Sequence, residues 1–174
     1  MKAEELRSLQ APFKERYRQQ PEAALVSLKA EGRLGEGVSC KVATSKAMVE
    51  AGLHPATGGS GLMACSGDML LEALVACAGI TLAAVASAIG IEIRDGKVRA
   101  EGDLDFRGTL GVSKEVAVGF QRIRLHFDLD TNASEEELAT LLRLTERYCV
   151  VYQTLQRVAE INTSHRVVAL SGKT

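Results

Sequence analysis

Four cysteines and three histidines carry the most versatile side-chain chemistry in this chain. The thiols are Cys40, Cys65, Cys77 and Cys149; the imidazoles are His54, His126 and His165. A thiolate is both a nucleophile and a metal ligand, and its abundance depends on how far its surroundings lower the thiol pKa. No CxxC pair occurs, so a thioredoxin-type dithiol is absent. Cys65, Cys77, Cys149 and His54 include the ligand types of a zinc site but lack its paired spacing. The run Gly58-Gly59-Ser60-Gly61 does not fit the GxSxG of a serine nucleophile. It also lacks the following GK[ST] of a phosphate loop. What remains is thiol chemistry by two cysteines far apart in sequence, Cys77 and Cys149. Each alone reads as a small core hydrophobe, because free cysteine is among the most buried residue types. A chemical role requires the fold to bring them together. Cys40 falls in a strand pattern and reads as core; Cys65 and His54 lie in a loop, Cys65 just before the helix that carries Cys77.

The element that must position Cys77 is the stretch Ser66 to Gly90. Between Ala73 and Ile89 it carries no charge over 17 residues. Leu, Val, Ile and Ala occupy every side of a helix drawn through it, so the helix is expected in the middle of the fold. Ser66 is the expected N-cap, Asp68 suits the positive helix end, and Gly90 ends the helix. The run is short for a membrane span, rich in Ala and Gly, and without flanking basic clusters. A core helix is the reading, with no membrane partner. Cys149 lies in ERYCVVYQTL, after a helix opened by the capping box Ser134-Glu135-Glu136-Glu137. Val150 to Ile161 continues as the second part of a bent helix or as a separate one. If Cys149 opens a new helix, Arg147 and that helix's N-terminus would favour its thiolate.

The rest supplies strands. Leu6, Leu9, Phe13 and Tyr17 make one stripe of a helix over residues 3–20, with Pro12 inside it, so residues 1–22 read as an N-terminal arm. Alternation at 24–30 and 38–42 about Gly35-Glu36-Gly37 predicts a hairpin with Arg33 near its tip. Residues 51–66 read as a loop. Val98 to Phe106 and Arg122 to Leu129 alternate strictly, as half-buried antiparallel strands joined by a turn at 108–114. His165 to Leu170 reads as a last strand. Residues 23–174 therefore form one α+β domain, a size at which a chain buries a substantial core. One small sheet cannot cover a helix that is apolar all round. A second copy of the chain is the expected cover, giving a homodimer that shares its central helices.

Composition excludes other partners. With 21 basic and 22 acidic residues the net charge is −1, which gives no electrostatic case for nucleic acid. Aromatics are 4% with no Trp, so base-stacking platforms are not expected. The charged N-terminus has no apolar core and does not resemble a secretory signal, so the expectation is a cytoplasmic protein whose cysteines are thiols. No cofactor or metal is expected.

LLEALVACAGITLAAVA, followed by ERYCVVYQTL, resembles the OsmC/Ohr family of osmotically inducible and organic hydroperoxide resistance proteins. The resemblance spans about residues 24–170. It implies an intertwined homodimer in which a curved antiparallel sheet packs on a buried central helix. It implies that Cys77 attacks a peroxide and that Cys149 resolves the product. An organic hydroperoxide is then the substrate and an external dithiol the reductant. The best-known members have a Glu ten residues before the reactive Cys, where this chain has Gly67 with Asp68 beside it. Their pairing Arg has Arg33 as its candidate here, and Val150 replaces the usual Pro after the second Cys. The other reading is a non-catalytic OsmC-like dimer that binds a small hydrophobic or thiol ligand. Catalysis sets one requirement. A thiol of pKa about 8.5 is only about 3% ionised at neutral pH, and burial lowers that further. Some cation or helix end must therefore favour the Cys77 thiolate.

Overall fold

The computed structural model describes residues 48–157 and 159–167 in full and the backbone of 31–34 and 39–43. It also describes residues 2–5, 7, 8, 10, 11, 19 and 20. Residues 3–5, 7, 8, 10, 11 and 19 are helical, as the periodicity of the N-terminal segment predicts. The expected apolar stripe of Leu6, Leu9, Phe13 and Tyr17 lies outside the described residues, as does the strand at 24–30.

Among the described residues the strands form two sheets. The first has four strands in chain order, β1 (Glu31–Leu34), β2 (Ser39–Ala43), β3 (Met48–Gly52) and β4 (Ala64–Cys65). β1, β2 and β3 are antiparallel neighbours, whereas β4 lies parallel to β3 with Gly52 opposite Cys65. The expected single loop over 51–66 is thus corrected. Its first residues finish β3, a 3-10 turn follows at Pro55–Thr57, and its last residues are β4. β1 begins at Glu31, and Arg33 pairs with Lys41.

The second sheet is a two-stranded antiparallel ribbon of β5 (Ile93–Leu104) and β6 (Phe120–Thr131). Its register pairs Val98 with Phe127, Ala100 with Leu125 and Gly102 with Ile123 on one face. Arg99 faces His126 and Glu101 faces Arg124 on the other. The outer face is laced by diagonal ion pairs, Arg99 to Asp128 at 2.7 Å and Arg124 Nη2 to Asp103 at 2.7 Å. Phe106, expected as strand, instead opens a single helical turn, Phe106–Thr109. Asp105 caps it by accepting from the Arg107 N–H. Gly102 allows the Phe120 ring to lie flat on β5, since a Cβ there would meet Phe120 Cε1 at 2.3 Å.

The central helix, α1 (Ser66–Ile89), packs against β5, α2 (Glu135–Tyr148) and α3 (Val150–Gln156). Its N-cap is Cys65, not Ser66, and no side chain caps it. Gly90 closes it at φ 79°, with its N–H on the Ala86 carbonyl. The capping box at Ser134 is present: the Glu137 N–H meets Ser134 Oγ while the Glu137 carboxylate accepts from the Ser134 N–H. The segment after Cys149 is a second helix that ends at Gln156 rather than Ile161. Residues 165–167 form no strand, and 168–170 lie outside the described residues.

α1 buries one face only: Leu74, Ala78, Leu82, Val85 and Ala86. Leu82, Val85 and Ala86 pack with Leu141 of α2, and Leu74 and Ala78 pack with Cys149. A buried Leu contributes about 1.5–3 kcal/mol relative to exposure, so these contacts hold the helix layer together. Ala73, Ala76, Ile80 and Ala83 recur at spacings of three and four on the opposite face and are exposed, Ile80 at 73%. The single chain thus leaves open the side of the helix for which a second copy is the expected cover. By length and composition alone α1 could also cross a membrane, at mean hydropathy 2.2. Here it packs against β5, α2 and α3.

Candidate active site

Cys149 is the joint between two helices. Its N–H closes α2 on the Thr145 carbonyl at 2.9 Å, and its carbonyl opens α3 by accepting from Gln153 at 2.9 Å. Its own backbone is extended, at φ −73° and ψ 110°. A break at that residue leaves the first N–H groups of α3 without intrahelical partners. Thr145, 1% exposed, spends its hydroxyl on the Leu141 carbonyl, 2.8 Å away, and so adds no unpaired polar group to the core.

Cys77 meets this joint from α1. On a helical wheel of about 100° per residue it stands between the buried face and the exposed stripe. Its thiol is partly exposed, while Cys149 is 1% exposed. The two thiols are neighbours, each perturbing the other's proton, within a cluster that includes Leu74, Ala78, Val151 and Tyr152. Desolvation pushes the Cys77 thiol up. The Val151 N–H, the Cys149 thiol, the Val150 N–H and the Thr81 hydroxyl together outweigh it, so Cys77 sits below its ordinary value. Contacts to sulfur are softer than N–H···O bonds, and the summed effect comes from several donors converging on one atom. Desolvation and the neighbouring Cys77 push Cys149 up, and the Tyr152 and Val151 N–H groups offset that only in part. The pair therefore favours a proton on Cys149 and negative charge on Cys77. The Thr81 hydroxyl also donates to the Cys77 carbonyl at 2.8 Å, and its single proton serves either the carbonyl or the sulfur.

Two sequence expectations change here. The α3 N-terminus serves both sulfurs, and it is the burial of Cys149 together with the neighbouring Cys77 that makes Cys149 the less favoured thiolate. Arg147 lies over the Tyr148 ring, 5.5 Å from its centroid. The N–H groups of Val150 and Val151 are functional groups that side-chain reading misses. Their signal was the position of Cys149 at a helix start. Thr81, four residues after Cys77, was legible from helical spacing alone.

The other candidates lie elsewhere. Cys65 caps α1 twelve residues before Cys77, about 18 Å along the axis at 1.5 Å per residue. Gly67 and Asp68 are ten and nine residues away, so about 14–15 Å along the same axis. A Cβ at Gly67 would make ordinary contacts, 3.5 Å from Phe120 and 3.6 Å from the Cys65 sulfur, so a larger residue fits the backbone there. His54 stacks on Phe106 with centroids 4.9 Å apart, and its Nδ1 accepts from the Ala56 N–H at 3.0 Å. It is a structural cap of the Pro55–Thr57 turn. Among the described residues no three His, Cys, Asp or Glu side chains converge on a metal site. The zinc set considered from sequence is not assembled. The side chains of Arg33 and Cys40 lie outside the described set.

Residues 59–164 match the family described as OsmC-like protein, more than half of the chain. The chain belongs to the OsmC-like family. Solved structures agree on the fold. An OsmC-like protein from Mycoplasma pneumoniae is 20% identical at TM-score 0.65, covering 76% of this chain and 89% of its own. An organic hydroperoxide resistance protein OsmC from Legionella pneumophila is 16% identical at TM-score 0.61, covering 76% and 91%. An organic hydroperoxide resistance protein from Elizabethkingia anophelis is 17% identical at TM-score 0.60, covering 75% and 89%. No curated protein matches the sequence. Membership places the thiol joint within an OsmC-like α+β fold of small sheets around a central helix. Several relatives of that fold are hydroperoxide resistance proteins.

Proposed function

We propose that this chain is a thiol peroxidase that reduces organic hydroperoxides through Cys77 and Cys149. The observation that carries the reading is the meeting of Cys77 and Cys149 in one apolar cluster at the start of α3, where Cys77 is held below its ordinary value. The Cys77 thiolate attacks the outer oxygen of the peroxide. The O–O bond breaks, the alkoxide leaves and is protonated to the alcohol, and Cys77 becomes a sulfenic acid. Cys149 then attacks that sulfur, a disulfide forms and water is released. A dithiol returns both cysteines to thiols and is itself oxidised to a disulfide. The apolar surroundings of the pair, Leu74, Ala78, Val151 and Tyr152, favour an organic peroxide over hydrogen peroxide.

The protein acts as a homodimer in the cytoplasm, where reducing conditions keep its cysteines as thiols. The exposed Ala73, Ala76, Ile80 and Ala83 stripe supports the dimer, since a continuous apolar helix face is stable when a second copy covers it.

The test is a thiol count before and after one equivalent of cumene hydroperoxide. Loss of two thiols per chain, abolished in Cys77→Ser, is the expected result. An unchanged count refutes the peroxidase and favours a dimer that only binds a hydrophobic or thiol ligand.

A further inference from the structure

Resetting the pair poses a geometric problem. In thiol–disulfide exchange the incoming thiolate attacks one sulfur and expels the other, and the better leaving group is the thiol whose anion is better stabilised. The N–H groups of Val150 and Val151 face the Cys77 sulfur and would receive it as it leaves. Attack therefore belongs at Cys149, which is 1% exposed. Cys77 stands toward the stripe that the dimer covers, so that side offers no separate approach to Cys149.

One cavity does. A space of about 390 Å³ lies between β6, α1 and α3, and its lining includes Leu74 and Tyr152. Leu74 belongs to the same buried cluster as Cys149 and Tyr152 packs against it, so the cavity borders the cluster that holds the buried sulfur. Ile123, Leu125, Phe127 and Leu155 add apolar lining. Polar groups are present too: Gln156 donates to the Tyr152 hydroxyl at 3.0 Å, and Arg122 and Glu146 line the same space. A larger cavity of about 520 Å³, lined by Gly79, Ala83 and the start of β5, lies on the stripe side and meets the cysteine cluster only at Val98.

We propose that the β6–α3 cavity is the port for the reductant, an apolar small-molecule dithiol that attacks Cys149 while Cys77 leaves. The inference rests on the peroxidase reading. In the first step the reductant's sulfur bonds to Cys149, the Cys77–Cys149 bond breaks, and Cys77 departs as thiolate. The reductant's second thiol then attacks its own sulfur in the mixed disulfide. Cys149 is released and takes up a proton, and the reductant closes to a cyclic disulfide. Tyr152 and Leu74 are the side chains that must turn aside for the first attack.

Two measurements test it on the full chain after oxidation with cumene hydroperoxide. Phenylmethanethiol is added to the disulfide form, the reaction is quenched with iodoacetamide, and peptides are weighed. The expected product carries the benzylthio group on Cys149 and the carbamidomethyl group on Cys77; the reverse labelling overturns the inference. The natural sequence is used, so folding of a variant is not at issue. In the second, Leu155→Trp is built to fill the cavity from its rim, where Leu155 is 38% exposed. Its melting temperature is checked against the parent. Reduction by decane-1,4-dithiol is expected to slow at least ten-fold more than reduction by dithiothreitol, which needs less room. Equal slowing, or none, overturns the port. If the parent protein forms no disulfide with the peroxide, the peroxidase reading fails before either result is read.

Discussion

Val150→Pro isolates one donor to the Cys77 sulfur without disturbing the fold. Val150 is the first residue of α3, where proline's fixed φ and missing N–H are tolerated. The residue before a proline must be extended, and Cys149 already is, at φ −73° and ψ 110°. The Val150 side chain is 70% exposed, so little packing is lost. Its N–H is an orphan of the helix start, so no intrahelical bond breaks. What disappears is the Val150 N–H toward Cys77. Hydrogen bonds to charged groups are worth about 1.5–3 kcal/mol. Sulfur is a soft acceptor and Cys77 is partly exposed, so about 1 kcal/mol is the appropriate figure here. At 1.36 kcal/mol per pKa unit, the Cys77 pKa rises by somewhat under one unit. Below that pKa the thiolate fraction falls by about five-fold. The assay is the rate of Cys77 alkylation by iodoacetamide against pH in a Cys40→Ser, Cys65→Ser background. The expected profile shifts to higher pH with an unchanged plateau and an unchanged or slightly raised melting temperature. An unshifted profile in a folded Val150→Pro protein would refute backbone activation of Cys77. A Val150→Ala control, which keeps the N–H, should not shift.

Three further outcomes follow from the geometry. Ile80→Arg puts a charge on the exposed face of α1 and should convert the proposed dimer to a folded monomer, read by sedimentation velocity; a dimer that survives refutes the proposed interface. Gly102→Val should lower stability by about 1–3 kcal/mol through overpacking against Phe120, read by chemical denaturation, and Phe120→Leu in the same chain should recover part of the loss. Asp103 is held below its usual 3.8 first by its hydrogen bonds from Arg124. A carboxylate depressed in the folded state adds stability above its unfolded pKa and loses it as pH falls through the folded one. The melting temperature should therefore drop as pH falls below about 3.8, and Asp103→Asn should flatten that drop.

Local patterning decided much of this protein. Ser134 with Glu137 satisfies two helix-end donors within four residues, so the start of α2 needed no tertiary information. The alternation of Val98, Ala100 and Leu125, Phe127 against charged neighbours is a period-two signal, and it gave the β5–β6 ribbon and its inner face. The charge-free run through Cys77 gave α1 for a similar reason. Short segments were different. β4 is two residues held in place by β3, and the turn at Phe106 is capped by one Asp105 side chain; neither is long enough to show a period.

The identities of Cys77 and Cys149 as the thiols of interest could be read from the chain, because residue type and helix context are local properties. Their meeting could not, since a contact across 72 positions is made only when α1, α2 and α3 pack. The electrostatics belonged wholly to the tertiary structure. The sequence put a helix start at Cys149 and so suggested a thiolate there. Packing buried Cys149 and brought the first N–H groups of α3 to the sulfur of another helix as well, because a pKa answers to the burial and the donors that surround the atom in space.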